Sequence, residues 1–107
     1  RVFCPVSDAI RAVDKLVNLD SSIGEVYNVG GKSEITILEL AELIIKKTNS
    51  KSKIAFIPYA DVYPIGFEDM QRRVPNTEKI RLATSWVPEK DLEFIIDDVI
   101  EYLKSAL

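Results

Sequence analysis

Glu25-Val-Tyr-Asn-Val-Gly-Gly31, followed by Thr36-Ile-Leu-Glu-Leu-Ala-Glu-Leu-Ile-Ile45, is the stretch that decides the predicted fold. Residues 25–29 alternate in the manner of a strand, and the glycine pair ends the run where the backbone needs a positive φ or a close approach. Thr36 lies three positions before Glu39, which is capping-box spacing, and apolar residues then recur at helical intervals. A strand that leads into a helix favours an α/β fold.

Hydrophobic spacing on both sides of this stretch predicts the remaining elements. The fold class is α/β, with short mixed or parallel strands packed with three longer helices and one short helix. Residues 59–75 form a long loop interrupted by Gly and Pro, and such loops are usually functional. Strands are predicted at 2–6, 25–29 and 54–57, longer helices at 8–19, 36–48 and 91–104, and the short helix at 76–83.

Composition bounds the function. The 107 residues suit a single domain, and 47% hydrophobic residues allow a core. A net charge of −3 disfavours nucleic-acid binding. Without histidine the chain has no Ser-His-Asp or Cys-His catalytic set and no usual zinc site, and with one cysteine it has no internal disulfide. No apolar run approaches the roughly 18 residues that span a membrane, so we expect a cytoplasmic protein.

Arg72 and Arg73 are the first candidates for ligand binding. A guanidinium group suits bidentate binding of a phosphate or carboxylate. The alternative is a solvated pair bonded to Glu68 and Asp69, whose carboxylates the arginines would keep ionised. Residue type alone leaves both interpretations open.

Three further side chains have both a functional and a structural interpretation. Arg1 lies at the mouth of the first predicted strand and could serve the same ligand, or could simply be exposed. The Asn28 amide could bind a ligand or satisfy neighbouring backbone. Trp86 is interpreted as a core residue rather than a stacking platform.

Five blocks in order resemble one known family. The series resembles the C-terminal part of the NAD-dependent epimerase/dehydratase family, the extended short-chain dehydrogenases that modify nucleotide sugars, and the resemblance covers essentially the whole chain. The blocks are Arg1-Val-Phe-Cys-Pro-Val-Ser-Asp8, Val26-Tyr-Asn-Val-Gly-Gly31, Ile37-Leu-Glu-Leu-Ala-Glu42, Arg72-Arg-Val-Pro-Asn76, and Lys79-Ile-Arg to Trp86-Val-Pro88.

The resemblance implies a division of labour. In the family an N-terminal Rossmann part holds NAD and the catalytic residues, and the C-terminal part closes over the nucleotide sugar. Residues 1–107 match the second part alone, as one substrate-binding domain. The glycine fingerprint and the Tyr-x-x-x-Lys pair are absent, so we expect no catalytic residue and no bound cofactor in this chain. NAD would belong to the full-length enzyme, and this chain alone would be inactive.

The resemblance also implies the ligand contacts. Two family arginines grip the substrate diphosphate, and they fall here on Arg1 and Arg73, with Arg72 as the fallback. Asn28 stays a further candidate from its place in the predicted strand. A UDP-sugar is favoured, and epimerisation, dehydration and decarboxylation stay open, in the classes isomerase and lyase. Pro5 stands where the family commonly has an aromatic residue or His, which leaves the sugar open.

Two predictions concern partners. The strand at 25–29 would pair with the Rossmann sheet of the full enzyme, and in its absence the exposed apolar surface would favour a homodimer.

Two alternative functions are a freestanding interaction module and a sugar-nucleotide sensor that binds without chemistry.

Overall fold

The computed structural model describes residues 1–66 and 69–106. All four predicted helices are present, within two residues of their expected bounds, and a short additional helix lies in the predicted loop. None of the described helices is long and apolar enough to cross a membrane. The elements are α1 (Val6–Val17), a 3-10 turn (Asp20–Ser22), α2 (Ile37–Thr48), α3 (Tyr59–Val62), α4 (Glu78–Thr84) and α5 (Leu92–Ala106).

The predicted α/β class is wrong, because the described residues form no sheet. The runs at 25–29 and 54–57 have no strand partner, and the pairing that is present is an isolated antiparallel bridge between Val2 and Glu34. A strand needs a neighbour that accepts and donates its backbone hydrogen bonds. Alternation of side chains predicts two faces but supplies no such neighbour.

The bounds of α2 follow from side chains close in sequence. The Thr36 Oγ1 accepts a hydrogen bond from the Glu39 amide at 3.1 Å and donates to the Glu39 carboxylate at 3.0 Å. At the other end Asn49 adopts a left-handed conformation with φ of 51°, and its N–H bonds back to the last turn. Such a residue is a common helix terminator. The cap of α2 by Thr36 that the sequence predicts is therefore confirmed.

The core lies between α1 and α4. Ala12, Ile80 and Trp86 are fully buried, and Leu16 and Tyr27 are among the partly buried residues packed against them. The Trp86 indole donates from Nε1 to the carbonyl oxygen of Asp8 at 3.0 Å. The interpretation of Trp86 as a core residue is confirmed, and the side chain unites the first helix with the segment after α4.

Much apolar surface lies outside this core. The radius of gyration is 17.4 Å, against about 13 Å for a compact domain of this length. One side of α1 illustrates the exposure, because its large side chains recur at helical spacing and are 58–77% exposed. We call this surface the α1 apolar face. It consists of Val6, Ile10, Val13 and Val17.

Candidate functional site

Two adjacent glycines bring distant segments together. A Cβ on Gly31 would collide with the backbone carbonyl of Phe3, and a Cβ on Gly30 would collide with the ring of Pro75. Neither glycine has a positive φ, so the pair serves close approach. The N-terminal segment and the segment at 73–75 therefore lie against the same point of the chain.

Arg1 and Arg73 meet at the carboxylate of Asp69. The Arg1 guanidinium donates from Nη2 to Oδ2 at 2.9 Å. The Arg73 Nη2 lies 3.5 Å from Oδ1 of the same group. Two side chains that are far apart in the sequence thus converge on one negatively charged group. The arrangement is able to hold an anion, since each guanidinium has five donors and spends one nitrogen here.

Asp69 is fixed by further partners besides the arginines. The Tyr59 hydroxyl donates to Oδ2 at 3.1 Å, and the Met70 amide donates to Oδ1 at 2.8 Å. The Met70 amide first, then Tyr59 and Arg1, hold the pKa of Asp69 below its usual range. The hydrogen bond between the Tyr59 hydroxyl and Asp69 raises the pKa of Tyr59. At neutral pH the carboxylate is charged and the phenol is protonated.

A cavity of about 850 Å³ opens beside this cluster. Arg1, Tyr59 and Asp69 line one part of it, and Thr36 and Glu39 at the start of α2 line another. Carboxylates outnumber guanidinium groups along this lining, so the cavity as a whole does not favour an anion. Binding of a phosphate would depend on the arginine groups themselves.

Arg72 is directed to a different partner. Its Nε and Nη2 donate to the two carboxylate oxygens of Glu34, each at 2.9 Å. This bond lowers the pKa of Glu34 and raises that of Arg72. The solvated-pair alternative predicted Asp69 and Glu68 as partners. Arg73 does pair with Asp69, Arg72 pairs with Glu34, and Glu68 lies outside the described residues.

Asn28 contacts the chain close to the arginine cluster. Its amide donates to the carbonyl oxygen of Asn76 at 3.4 Å. The Asn76 side chain accepts from the Glu78 amide at 3.0 Å, at the start of α4. In this structure Asn28 satisfies neighbouring backbone, which is the structural alternative that the sequence left open.

Two residues that contact the candidate side chains are not predicted by the sequence. Tyr59, the partner of Asp69, lies in the segment predicted as a loop, and no pattern marks Glu34, the partner of Arg72. Both are joined to the site through contacts that span many residues, 10 from Tyr59 to Asp69 and 38 from Glu34 to Arg72. Asp69, in contrast, is named in the sequence analysis as a partner of the arginine pair, and it stands four positions before Arg73.

Several known proteins are similar to the chain over almost all of its length. A UDP-N-acetyl-alpha-D-glucosaminuronate decarboxylase of Bacillus cytotoxicus is 33% identical over 97% of the chain and 32% of its own length. UDP-glucuronic acid decarboxylase 1 of Danio rerio is 36% identical over 100% of the chain and 24% of its own length. UDP-D-apiose/UDP-D-xylose synthase 2 of Arabidopsis thaliana is 26% identical over 95% of the chain and 28% of its own length.

These relatives are enzymes named for UDP-sugars, and the chain spans about a third or less of their length. They confirm the resemblance: the chain corresponds to the C-terminal part of enzymes of the NAD-dependent epimerase/dehydratase family. No model of a protein family matches the chain. No solved structure matches it either.

Proposed function

We propose that the chain is the part of a UDP-sugar-modifying enzyme that binds the nucleotide sugar through its diphosphate. The observation that carries the proposal is the convergence of Arg1 and Arg73 on Asp69. The relatives support the substrate class, because their names specify UDP-sugars and include two decarboxylases. Among the reactions that the sequence leaves open, decarboxylation is therefore the one we favour.

The chemistry of the two guanidinium groups suits a diphosphate. Each group is planar and offers paired N–H donors that match two phosphate oxygens, and two groups offset the charges of two phosphoryl units. The diphosphate is remote from the sugar carbon that reacts. Binding energy from such a remote group orients the reacting end of a substrate.

The glycine pair of this chain does not fit the phosphates of NAD. Gly30 and Gly31 are the glycine pair of the sequence, and protein atoms of Phe3 and Pro75 fill the space beside them. They therefore offer no cradle for a phosphate. We assign NAD, which supplies hydride transfer, and the catalytic Tyr-Lys pair to an N-terminal Rossmann part. On this proposal the chain by itself is inactive, and its cytoplasmic location stays a prediction from the sequence.

The exposed apolar side chains support the proposal that another polypeptide covers part of this surface. On α1 they form the α1 apolar face, and Val26 in the irregular run at 25–29 is 80% exposed. An exposed apolar face such as that of α1 is typical of an interaction site. We propose that a Rossmann part covers it in the enzyme, with the run at 25–29 added to its sheet, and that a second copy of the chain covers it otherwise.

Calorimetric titration of the chain with uridine diphosphate tests the anion site. Arg73→Ala should weaken binding by about tenfold or more, because a charge-assisted contact is lost. Arg81→Ala is the matched control. Arg81 is 51% exposed and paired with Glu78, against 57% for Arg73. Equal affinity of the two variants, or no binding by the unaltered chain at millimolar nucleotide, would contradict the proposal.

A further inference from the structure

Asp69 is held where it is independently of the arginines. Two of its contacts come from groups without charge, the Tyr59 hydroxyl at 3.1 Å and the Met70 amide at 2.8 Å. They engage both carboxylate oxygens from two directions. The carboxylate is therefore a fixed point to which the guanidinium groups come, rather than a mobile side chain that follows them.

Two guanidinium groups repel each other when they converge on one place. Both are long, flexible side chains, and ordering each costs conformational entropy. A fixed carboxylate between them offsets the repulsion and gives both side chains a partner of opposite charge before any ligand arrives. Arg1 is the less exposed of the two, with its side chain 27% exposed against 57% for Arg73.

The contact with Asp69 leaves donors available. Arg1 uses its Nη2 on Oδ2, and Arg73 approaches Oδ1 with its Nη2. A guanidinium presents five N–H donors on its edges. Each arginine is thus able to keep Asp69 and to bind phosphate oxygens with its remaining nitrogens.

We infer that Asp69 is a positioning residue for diphosphate binding, which acts by holding Arg1 and Arg73 in the ligand-binding arrangement. The inference rests on the proposed function and adds to it a residue that does not touch the ligand. Tyr59 belongs to the same device, since its hydroxyl orients the carboxylate. The ordering cost of both arginines is met during folding, so the ligand does not have to meet it.

Titration of the chain with uridine diphosphate tests the role of Asp69. Asp69→Asn keeps the size of the side chain and an acceptor oxygen but removes the charge that holds both arginines. We expect affinity for uridine diphosphate to fall by about tenfold. Asp61→Asn, an exposed change on α3 in the same segment, is the control and should leave the affinity unchanged.

A double-mutant cycle separates positioning from a merely structural role. If Asp69 acts through Arg73, then Asp69→Asn should have a much smaller effect in the Arg73→Ala background than in the unaltered chain. A structural role would give the same loss in both backgrounds. Additive effects would therefore overturn the inference, and so would unchanged or tighter binding by Asp69→Asn, which would make the carboxylate a competitor of the ligand.

Tyr59→Phe gives an independent measurement should Asp69→Asn fail to fold. The change removes the hydroxyl that orients Asp69 and leaves every charge in place, so it should weaken binding by a smaller factor. Unchanged binding by this variant would overturn the inference. Failure of the proposed function looks different, because the unaltered chain would then not bind uridine diphosphate, or Arg73→Ala would bind it normally.

Discussion

Asp8 joins α1 to the segment after Trp86 through a buried carboxylate that is 2% exposed. Its Oδ2 accepts hydrogen bonds from the backbone amides of Glu89 at 3.1 Å and Lys90 at 3.0 Å. Its Oδ1 accepts from the Arg11 guanidinium at 3.2 Å. Since the two amides share one oxygen and Arg11 uses the other, two substitutions separate their contributions.

Asp8→Ala removes all three hydrogen bonds. A hydrogen bond to a charged group contributes about 1.5–3 kcal/mol when buried, and these donors retain some access to water, so we expect a loss of about 3 kcal/mol in the free energy of unfolding. Asp8→Asn is milder. Its amide oxygen in the Oδ2 position keeps both backbone bonds, and the loss of the Arg11 ion pair should cost about 1 kcal/mol.

The contribution of Asp8 depends on pH in a direction that the structure defines. Burial raises the pKa of Asp8, but hydrogen bonds from Lys90, Glu89 and Arg11 outweigh it and hold the pKa below its usual range. The folded state therefore binds a proton less readily than the unfolded state. The stabilisation is complete above the ordinary pKa and is lost as the pH falls through the lower folded value. The difference between the unaltered chain and Asp8→Asn should narrow in that acidic range.

Urea denaturation measures these differences through the fluorescence of the sole tryptophan, Trp86, which is fully buried. Its indole bonds to the backbone carbonyl of residue 8, so the probe keeps its contact in both variants. Asp98→Asn, on the exposed side of α5, is the control. Equal destabilisation by Asp8→Ala and Asp8→Asn would refute the assignment of the two oxygens.

Three other predictions follow from separate features. Gly31→Ala should reduce the free energy of unfolding by more than about 2 kcal/mol, because the new Cβ would collide with the backbone of Phe3. Gly24→Ala should reduce it by about 1 kcal/mol, because Gly24 has open space around it but a φ of 76°. Urea denaturation of both variants measures the difference. Arg72→Ala breaks the bond to Glu34 and should leave the affinity for uridine diphosphate unchanged in calorimetry. A loss of affinity equal to that of Arg73→Ala would show that Arg72 also binds the nucleotide. Light scattering should show self-association of the unaltered chain, reduced by Val13→Lys on the α1 apolar face, and a monodisperse monomer at high concentration would contradict this.

The helices were predictable because their determinants are local. Thr36 and Glu39 form their capping box across three positions, and the apolar stripe of α5 recurs within the helix itself. Such patterns fix an element without reference to the rest of the chain. The bounds therefore agreed with the structure within two residues.

The strands were not predictable because their determinants lie elsewhere. The run at 25–29 has the alternation of a strand, yet Val26 is 80% exposed and no ladder forms there among the described residues. Phe56, in the predicted strand at 54–57, is 79% exposed. Both runs have strand composition without a neighbouring strand, and composition does not say where a partner lies.

The candidate site was only partly predictable. Residue type made Arg73 and Arg1 candidates, the family resemblance assigned both to a diphosphate, and the structure brings both to Asp69. The role of Tyr59 could not be read from sequence, because nothing in a loop rich in Gly and Pro states which hydroxyl will face which carboxylate. Its contact depends on the three-dimensional course of the chain.

The glycine pair explains how the site forms although the described residues contain no sheet. Gly31 allows the backbone of Phe3 to lie against it, and Gly30 allows close approach of Pro75, two residues after Arg73. The two arginines therefore approach each other because the backbone segments that carry them both lie against the Gly30-Gly31 pair. Asp8 and Trp86 lie in a different part of the structure, so Asp8→Asn should change stability and leave nucleotide affinity intact. Gly31→Ala should change both stability and nucleotide affinity, because it disturbs the contact with Phe3 that places Arg1 at the site.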